Sequence, residues 1–305
     1  MERANVIVGA PSSIGIRPYD DGTARRLDLT PGRLRAERLV ERLAARDAGD
    51  VVPGPYRDFE RRPGRVRNEA EVVAYSRALA ERVEAAAAEG AFVVVLGGDC
   101  SIVLGCLLGV RKAGSRIGLA YVDAHADYAT PEESYTGSAA SMCLALAAGR
   151  GDTVLARLAG DEALVDPADI VLIARSDQHE DEHYGDGGPG AQPLLDMPLA
   201  VVRERGPAAA SRAALERLTR AGIDGFWIHV DADVLDPAIM PAVDSPEAGG
   251  LRLDELSDLL APLVSHPRAL GLELTIYDAA LDPDGACAAR LADLLEGVLR
   301  QEVRA

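Results

Sequence analysis

Several features that mark particular classes of protein are rare or missing in this sequence. Its 305 residues include only four cysteines and no CxxC pair, so neither a disulfide-stapled fold nor a zinc ribbon is indicated. No apolar run approaches the roughly 18–20 residues of a membrane span, and the start Met-Glu-Arg-Ala lacks a signal-peptide pattern. We therefore expect a cytoplasmic protein that does not span a membrane.

Positive charge is scarce as well. Lysine and arginine total 32 against 49 aspartate and glutamate residues, which gives a net charge of −17, and Lys112 is the only lysine. A surface of this sign repels phosphate backbones and anionic lipids, so we expect neither a nucleic-acid nor a membrane partner. An acidic, solvated surface is the simpler explanation of the charge, and steering of a cationic substrate is the alternative.

The sequence does contain a regular alternation of short apolar segments with segments of helical spacing. Continuously apolar strands that alternate with helices predict an α/β fold, with a parallel sheet covered on both faces. Because 48% of the residues are hydrophobic and no shift in composition marks a linker, we predict a single domain over residues 1–305. The predicted strands are 5–9, 91–96, 116–123, 169–174, 225–231 and 269–276; the predicted helices are 32–48, 69–90, 101–114, 139–148, 207–221, 253–265 and 286–300.

Two of the predicted strands end in clusters of ligand-type side chains. Asp231 and Asp233 share a face because side chains alternate along a strand, and Asp123, His125 and Asp127 repeat that spacing. Aspartates this close repel each other unless a cation lies between them. In a parallel sheet the carboxyl ends of the strands meet at one edge, where ligands bind. The two clusters together therefore predict a metal site, although either one alone could be a solvated turn or a helix cap.

Four carboxylates and one imidazole suit Mn²⁺, Fe²⁺, Co²⁺ or Zn²⁺. Four negative charges exceed what one divalent ion balances, so we expect two ions that share aspartates and hold a hydroxide between them. No GxSxG elbow and no GxxxxGK[ST] loop offers a competing chemistry. His229 lies in the middle of an apolar strand and is predicted to be a hydrogen-bonded core histidine.

Three motifs together resemble the ureohydrolase family of arginase and agmatinase: Gly-Gly-Asp-Cys-Ser (97–101), Asp-Ala-His-Ala-Asp (123–127) and Asp-Ala-Asp-Val-Leu-Asp-Pro (231–237). The resemblance implies a three-layer α/β/α fold with a mainly parallel eight-stranded sheet. It also implies a hydrolase with two Mn²⁺ ions per chain that converts a guanidino compound to urea and an amine. Because three positions depart from the family pattern, we expect a C–N bond to be cleaved in a guanidino, N-hydroxyguanidino or amidine-like small molecule. The product would be urea or a substituted urea, and the protein would be a homo-oligomer, a trimer or a hexamer.

The same resemblance assigns roles to individual residues. Asp123 and Asp231 would bridge the two ions, and Asp127 would be catalytic by positioning or deprotonating the attacking hydroxide. Ser138 and Asp177 would contact the substrate. The implied metal ligands are Cys100, Asp123, His125, Asp127, Asp231 and Asp233.

Three positions depart from the family pattern. Cys100 replaces a ligand histidine, so it either binds as a thiolate and shifts the metal preference or leaves that ion more weakly held. Ile276 replaces a glutamate that grips the guanidinium group, and Ala140 replaces a proton-shuttling histidine. Glu273 or Asp278 could substitute for the glutamate, although strand alternation points Glu273 away from position 276.

These departures keep open a non-catalytic family member that acts as a regulatory or interaction subunit. A deacetylase of the same fold is least favoured, because the tandem histidines of its site are missing.

Overall fold

One parallel sheet carries the fold in the computed structural model, which describes residues 3–58, 60, 62–111, 115–179, 181 and 187–300. Its strands are β1 (Asn5–Gly9), β2 (Arg46–Asp50), β3 (Phe92–Leu96), β4 (Ile117–Val122), β5 (Ile170–Ile173), β6 (Leu195–Met197), β7 (Gly225–Asp231) and β8 (Ala269–Thr275). They are ordered β2-β1-β3-β8-β7-β4-β5-β6, and each neighbouring pair is parallel. The predicted fold class, with an eight-stranded parallel sheet, is confirmed.

Helices cover both faces of this sheet. Helices α3, α4 and α5 pack on one face, whereas α1, α7, α8 and α9 pack on the other. Helix α4 can approach α3 closely because a Cβ at Gly109 would lie 2.6 Å from the carbonyl oxygen of Ala80. Among the described residues the helices are α1 (Thr30–Ala36), α2 (Leu39–Arg42), α3 (Glu69–Ala88), α4 (Ile102–Val110), α5 (Cys143–Ala147), α6 (Leu199–Arg205), α7 (Pro207–Leu218), α8 (Leu253–Ser265) and α9 (Ala286–Leu299). In the same part of the chain, no helix is both long enough and apolar enough to cross a membrane.

The prediction at one edge of the sheet is wrong, and the strand at the other edge was not predicted. The helix predicted over 32–48 ends at Arg42 after a break at Arg38, whose φ is +60°, and Arg46–Asp50 is the edge strand β2. Leu195–Met197 forms the opposite edge strand and was not predicted. Both edge strands are short and largely exposed or half-buried, so their sequences lack the apolar pattern that identified the central strands. Partners in the sheet, rather than local pattern, make these segments strands.

The central strands bring three polar side chains into one row beneath the predicted site. His229 on β7 pairs in register with Tyr121 on β4 and with Glu273 on β8. Two residues further along, Asp231 pairs with Thr275. Because side chains two residues apart share a face, this row lies directly under the predicted ligands, on the side covered by α4 and α5.

Candidate metal centre

The same backbone turn follows both central strands β4 and β7. The Oδ1 atom of Asp123 accepts a hydrogen bond from the His125 amide at 2.7 Å, and Oδ1 of Asp231 accepts one from the Asp233 amide at 2.9 Å. Each turn engages the Oδ1 atom of its aspartate and leaves Oδ2 to other partners, which for Asp231 include the Thr275 hydroxyl at 3.3 Å. The Oδ2 atom of Asp123 is buried and has no hydrogen-bond partner among the described residues. An unpaired buried carboxylate oxygen is costly, and a cation is the natural partner for it.

Two groups of possible ligand atoms lie at this edge of the sheet. The first ligand group contains Cys100, Asp123, His229 and Asp231, and the second contains Asp123, His125 and Asp233. Within each group all the ligand atoms lie within 4.8 Å of one another. Asp123 belongs to both groups, which is the geometry that its predicted bridging role requires. The residues present therefore fit a pair of divalent ions.

Cys100 is placed by the loop between β3 and α4. This loop packs so tightly that a Cβ at Gly98 would lie 2.6 Å from the carbonyl oxygen of Ala10. The buried Sγ atom of Cys100 lies 3.0 Å from Oδ2 of Asp231. Burial, followed by the charges of Asp231 and Asp127, raises the pKa of the Cys100 thiol well above its ordinary value. The thiol is therefore neutral unless a cation offsets these charges, and its position suits a metal ligand.

Asp127 lines the same cavity but lies outside both ligand groups, as these are formed by the described residues. Its Oδ2 atom accepts a hydrogen bond of 2.6 Å from the Tyr121 hydroxyl and one of 3.4 Å from the Cys143 thiol. Burial and the neighbouring charge of Asp123 raise its pKa to about 8. Its predicted roles as metal ligand and catalytic group both stay predictions.

His125 connects the second ligand group to the cavity wall. Its Nδ1 atom lies 3.1 Å from Oδ2 of Asp233, and its Nε2 atom lies 3.9 Å from Oε1 of Glu247. Burial lowers the pKa of His125, but Asp233 and Asp123 outweigh it, and the net shift is well upward. Burial raises the pKa of Asp233 to about 6 against the opposing effect of His125. Without a metal, these groups hold protons that an ion would displace.

His229 is buried and hydrogen-bonded, as predicted, but it also reaches the metal site, which was not predicted. Its Nδ1 atom lies 2.8 Å from Oε1 of Glu273, and its Nε2 atom lies 3.7 Å from Oδ2 of Asp123. Burial lowers the pKa of His229, but the Asp123 and Glu273 carboxylates raise it to about 10. The signal was available in the sequence, because residue 229 shares a strand face with Asp231.

A cavity of about 290 Å³ lies above the two ligand groups. Among the described residues its lining holds eight carboxylates against two arginines, Arg17 and Arg25. Arg25 is already paired with Asp244, and Arg17 lies 2.5 Å from Asp20. Ile276 and Ala140 also line the cavity, at the two positions where the family resemblance implies a glutamate and a histidine. The cavity is therefore acidic and suits a cationic or amidine-like molecule.

The two predicted substrate contacts line this cavity but are already bonded within the protein. Asp177 accepts a hydrogen bond from the Ala126 amide at 2.8 Å through Oδ2, and its Oδ1 lies 3.1 Å from Arg175. The Ser138 hydroxyl accepts a hydrogen bond from the Arg17 amide at 3.1 Å. Their contact with substrate stays a prediction, and Asp177 in addition holds the loop that follows β4.

Neither of the two carboxylates that could replace the missing glutamate, Glu273 and Asp278, lines the cavity. Glu273 is fully buried and accepts hydrogen bonds from Trp227 and His229. Asp278 accepts hydrogen bonds from the Tyr19 hydroxyl at 3.3 Å and from the Arg26 amide at 3.2 Å. Both carboxylates are therefore engaged in holding the fold.

Comparisons with known proteins agree with this geometry. The arginase family model matches residues 6–299. The arginase of Bacillus caldovelox is 32% identical over 263 residues, covering 80% of this chain and 82% of that protein, and the arginase of Bacillus subtilis is 30% identical over 301 residues, covering 96% and 98%. The native structure of the Bacillus caldovelox arginase superposes with a TM-score of 0.86 at 28% identity and covers 99% of both chains. The chain therefore belongs to the arginase family of hydrolases.

Proposed function

We propose that this protein is a metal-dependent amidinohydrolase that cleaves a C–N bond in a guanidino, N-hydroxyguanidino or amidine-like small molecule and releases urea or a substituted urea. The observation that carries the proposal is the pair of ligand groups that share Asp123 at the floor of an acidic cavity. Mn²⁺ or another divalent transition metal would occupy these groups. When bound, two such ions supply an activated water at neutral pH and polarise the group under attack.

Asp127 is the proton carrier in this proposal. The Tyr121 hydroxyl engages Oδ2, which leaves Oδ1 to accept a proton from the attacking water and deliver it to the departing nitrogen. Without metal the pKa of Asp127 is raised to about 8, and positive charge nearby lowers it, so a carboxylate is available at neutral pH. Burial beneath the cavity keeps this carboxylate away from bulk solvent.

Glu247 is the carboxylate best placed to receive a cationic substrate. Three other acidic side chains of the wall already pair with arginines: Asp244 with Arg25, Glu133 with Arg150, and Asp177 with Arg175. Glu247 has no arginine or lysine within 4.0 Å in the part of the chain that the structure describes. Its Oε1 atom lies 3.9 Å from His125, next to the second ligand group. A substrate cation at Glu247 would thus lie beside the reacting centre.

Activity screening of the intact, metal-loaded protein tests this function. A panel of guanidino, N-hydroxyguanidino and amidine compounds is incubated with protein loaded with Mn²⁺, Co²⁺ or Zn²⁺, and urea, hydroxyurea or, for the amidines, the amide product is quantified. We expect release from at least one compound, dependent on metal, and loss of that release in Asp233→Asn. The matched control Asp258→Asn, outside the cavity, should keep it. Tight metal binding without release from any compound would support the non-catalytic alternative instead.

We also propose a homo-oligomer of three or six chains, which rests only on the family resemblance. Light scattering coupled to size-exclusion chromatography at several protein concentrations measures this directly. A monomer at every concentration would contradict it.

A further inference from the structure

His229 is held in one orientation by the row of side chains beneath the metal site. Its ring stacks on Tyr121 with centroids 4.0 Å apart and an interplanar angle of 9°. Its Nδ1 atom lies 2.8 Å from Oε1 of Glu273, whose other oxygen accepts the indole N–H of Trp227. A carboxylate only accepts hydrogen bonds, so Nδ1 is the donor and the lone pair of the neutral ring lies on Nε2. The row therefore fixes both the tautomer and the direction of Nε2.

That Nε2 atom faces the first ligand group without a partner. It is buried, and no hydrogen-bond partner occurs for it among the described residues. The facing Oδ2 atom of Asp123 is equally unpartnered, and the 3.7 Å between the two atoms exceeds hydrogen-bond range. Ligand atoms that lie 2.0–2.3 Å from one ion are separated from each other by roughly 3–4.5 Å. An ion between Nε2 and Oδ2 would satisfy both atoms without displacing either side chain.

We propose that His229 is a metal ligand in this protein and that, with Cys100, Asp123 and Asp231, it forms a site selective for Zn²⁺ or Co²⁺ over Mn²⁺. Glu273 is the positioning residue that orients the imidazole through Nδ1. Histidine ligands characteristically donate their second N–H to a carboxylate in this way. The inference rests on the metal dependence of the proposed function but not on its substrate.

The donor atoms give the metal preference. A thiolate and an imidazole suit Zn²⁺ and Co²⁺, whereas Mn²⁺ prefers carboxylates, carbonyls and water. Cys100 Sγ lies 3.0 Å from Oδ2 of Asp231, which is closer than the 3.7 Å between Nε2 of His229 and Oδ2 of Asp123. The second ligand group has no thiol, with one imidazole and two carboxylates as its members. The first ligand group therefore contains a softer donor atom than the second, and we expect the two groups to bind different ions.

Titration of the intact protein with Co²⁺ alone tests the assignment. The first equivalent should produce the near-ultraviolet charge-transfer band of thiolate bound to Co²⁺, and Cys100→Ser should abolish it. In His229→Gln the affinity for Co²⁺ should fall by at least about 100-fold. Removal of a residue that only supports a ligand lowers metal affinity by roughly 10–100-fold, so a ligand should exceed that range. The matched control His266→Gln, whose ring lies outside the cavity, should bind Co²⁺ as the parent protein does.

Two further measurements keep the proposal testable if His229→Gln does not fold. Glu273→Gln, which keeps the size of the side chain but weakens the imidazole as a ligand, should lower the affinity by roughly 10–100-fold. X-ray absorption of the unmutated protein with one equivalent of Zn²⁺ should show one sulfur at about 2.3 Å and nitrogen at about 2.0–2.1 Å.

The outcomes separate this proposal from the proposed function. The proposed site is wrong if the bound metal has no sulfur ligand, or if a folded His229→Gln binds the metal as tightly as the parent protein. Either result holds even if urea is released. Thiolate and imidazole ligation without hydrolysis of any guanidino compound supports the site and removes the proposed function. A protein that binds neither Zn²⁺ nor Co²⁺ overturns the site, and one that binds no divalent metal at all overturns both.

Discussion

Ile276 combines an unusual backbone conformation with an unexpected side chain. Its φ is +64°, a left-handed value that costs a residue with a Cβ about 1–2 kcal/mol and is rare for β-branched side chains. The amide of Ile276 donates to the carbonyl oxygen of Gly98 at 2.9 Å, which ties this backbone to the loop that carries Cys100. The main chain is therefore held in a fixed shape at the cavity wall, while the side chain offers the substrate only apolar contact.

Restoring a carboxylate at this position should favour guanidinium substrates. We expect Ile276→Glu to raise kcat/KM for unmodified guanidino compounds by roughly 10–100-fold, because a charge-assisted hydrogen bond contributes about 1.5–3 kcal/mol. Steady-state kinetics on the substrate panel measures this. Ile276→Gln, which has the same size without the charge, is the control. Equal gains in the two variants would show that shape, rather than charge, matters at this position.

Glu247 offers a second test at the scale of one residue. If it binds the substrate cation, Glu247→Gln should raise KM by roughly 5–30-fold while leaving metal content unchanged. A hydrogen bond to a charged group contributes about 1.5–3 kcal/mol, and the partial exposure of Glu247 reduces this to about 1–2 kcal/mol. Kinetics combined with elemental analysis gives both quantities. Glu132→Gln, on an exposed neighbouring loop, is the matched control. A variant that loses metal instead would place Glu247 among the ligands.

The loop that follows β4 depends on an element that lies further along the sheet. Asp177, after β5, accepts a hydrogen bond from the Ala126 amide, and Arg175 holds Asp177 in place. Arg175 is itself fixed by two bonds of 3.0 and 2.8 Å from Nε and Nη2 to Asp196 on β6. The edge strand β6 thus supports the position of His125 and Asp127 through two intervening side chains.

This support predicts the effect of Asp177→Asn. The asparagine amide has only one accepting oxygen, so it cannot accept the hydrogen bonds of both Ala126 and Arg175 in the way that the two carboxylate oxygens do. The loop therefore loses one restraint, and we expect metal affinity to fall by roughly 10-fold or more. Isothermal titration with Mn²⁺ or Zn²⁺ measures the change. Asp196→Asn, which pairs with Arg175 but does not touch the loop, should have a smaller effect. A rise in KM at unchanged metal affinity would instead confirm the substrate-binding role predicted for Asp177.

Sequence reasoning predicted the central elements and missed the edges, for reasons that the structure makes clear. Strands β3, β4, β7 and β8 are almost entirely buried and mostly apolar, whereas β2 and β6 carry polar, partly exposed residues. The period-two spacing of Asp123 with His125 and of Asp231 with Asp233 indicated side chains that lie at the same edge of the folded sheet. Loop residues such as Glu247 have no periodicity, so only the folded chain places them at the site.

At the scale of the whole molecule, the metal-free protein should become less stable as the pH rises. Burial and mutual repulsion raise the pKa of Asp127 to about 8 and of Asp233 to about 6, and carboxylate neighbours raise that of His229 to about 10. A group with a raised folded-state pKa stabilises the fold below its unfolded pKa, and that stability is lost as the pH rises through the folded value. We therefore expect the melting temperature with chelator to fall between about pH 5 and pH 9.

Added metal should oppose this trend. Two divalent ions replace the protons, and ligand at 100 times its Kd stabilises the folded state by about 2.7 kcal/mol. The difference in melting temperature between metal-saturated and chelated protein should therefore widen with pH, as followed by calorimetry. Asp233→Asn removes one of the repelling carboxylates and should flatten the pH dependence of the chelated protein. A constant difference across the range would show that these side chains are not coupled to metal binding.

The position of β8 has a consequence for when the centre can form during synthesis. This strand is the last in the chain, yet it lies between β3 and β7 in the middle of the sheet. Until residues 269–275 leave the ribosome, no strand joins β3, which leads to Cys100, to β7, which carries Asp231. Glu273 is also not yet present to orient His229. Nascent chains that end before this strand hold the motifs but not the site. The complete centre can therefore bind metal only after β8 has inserted between β3 and β7.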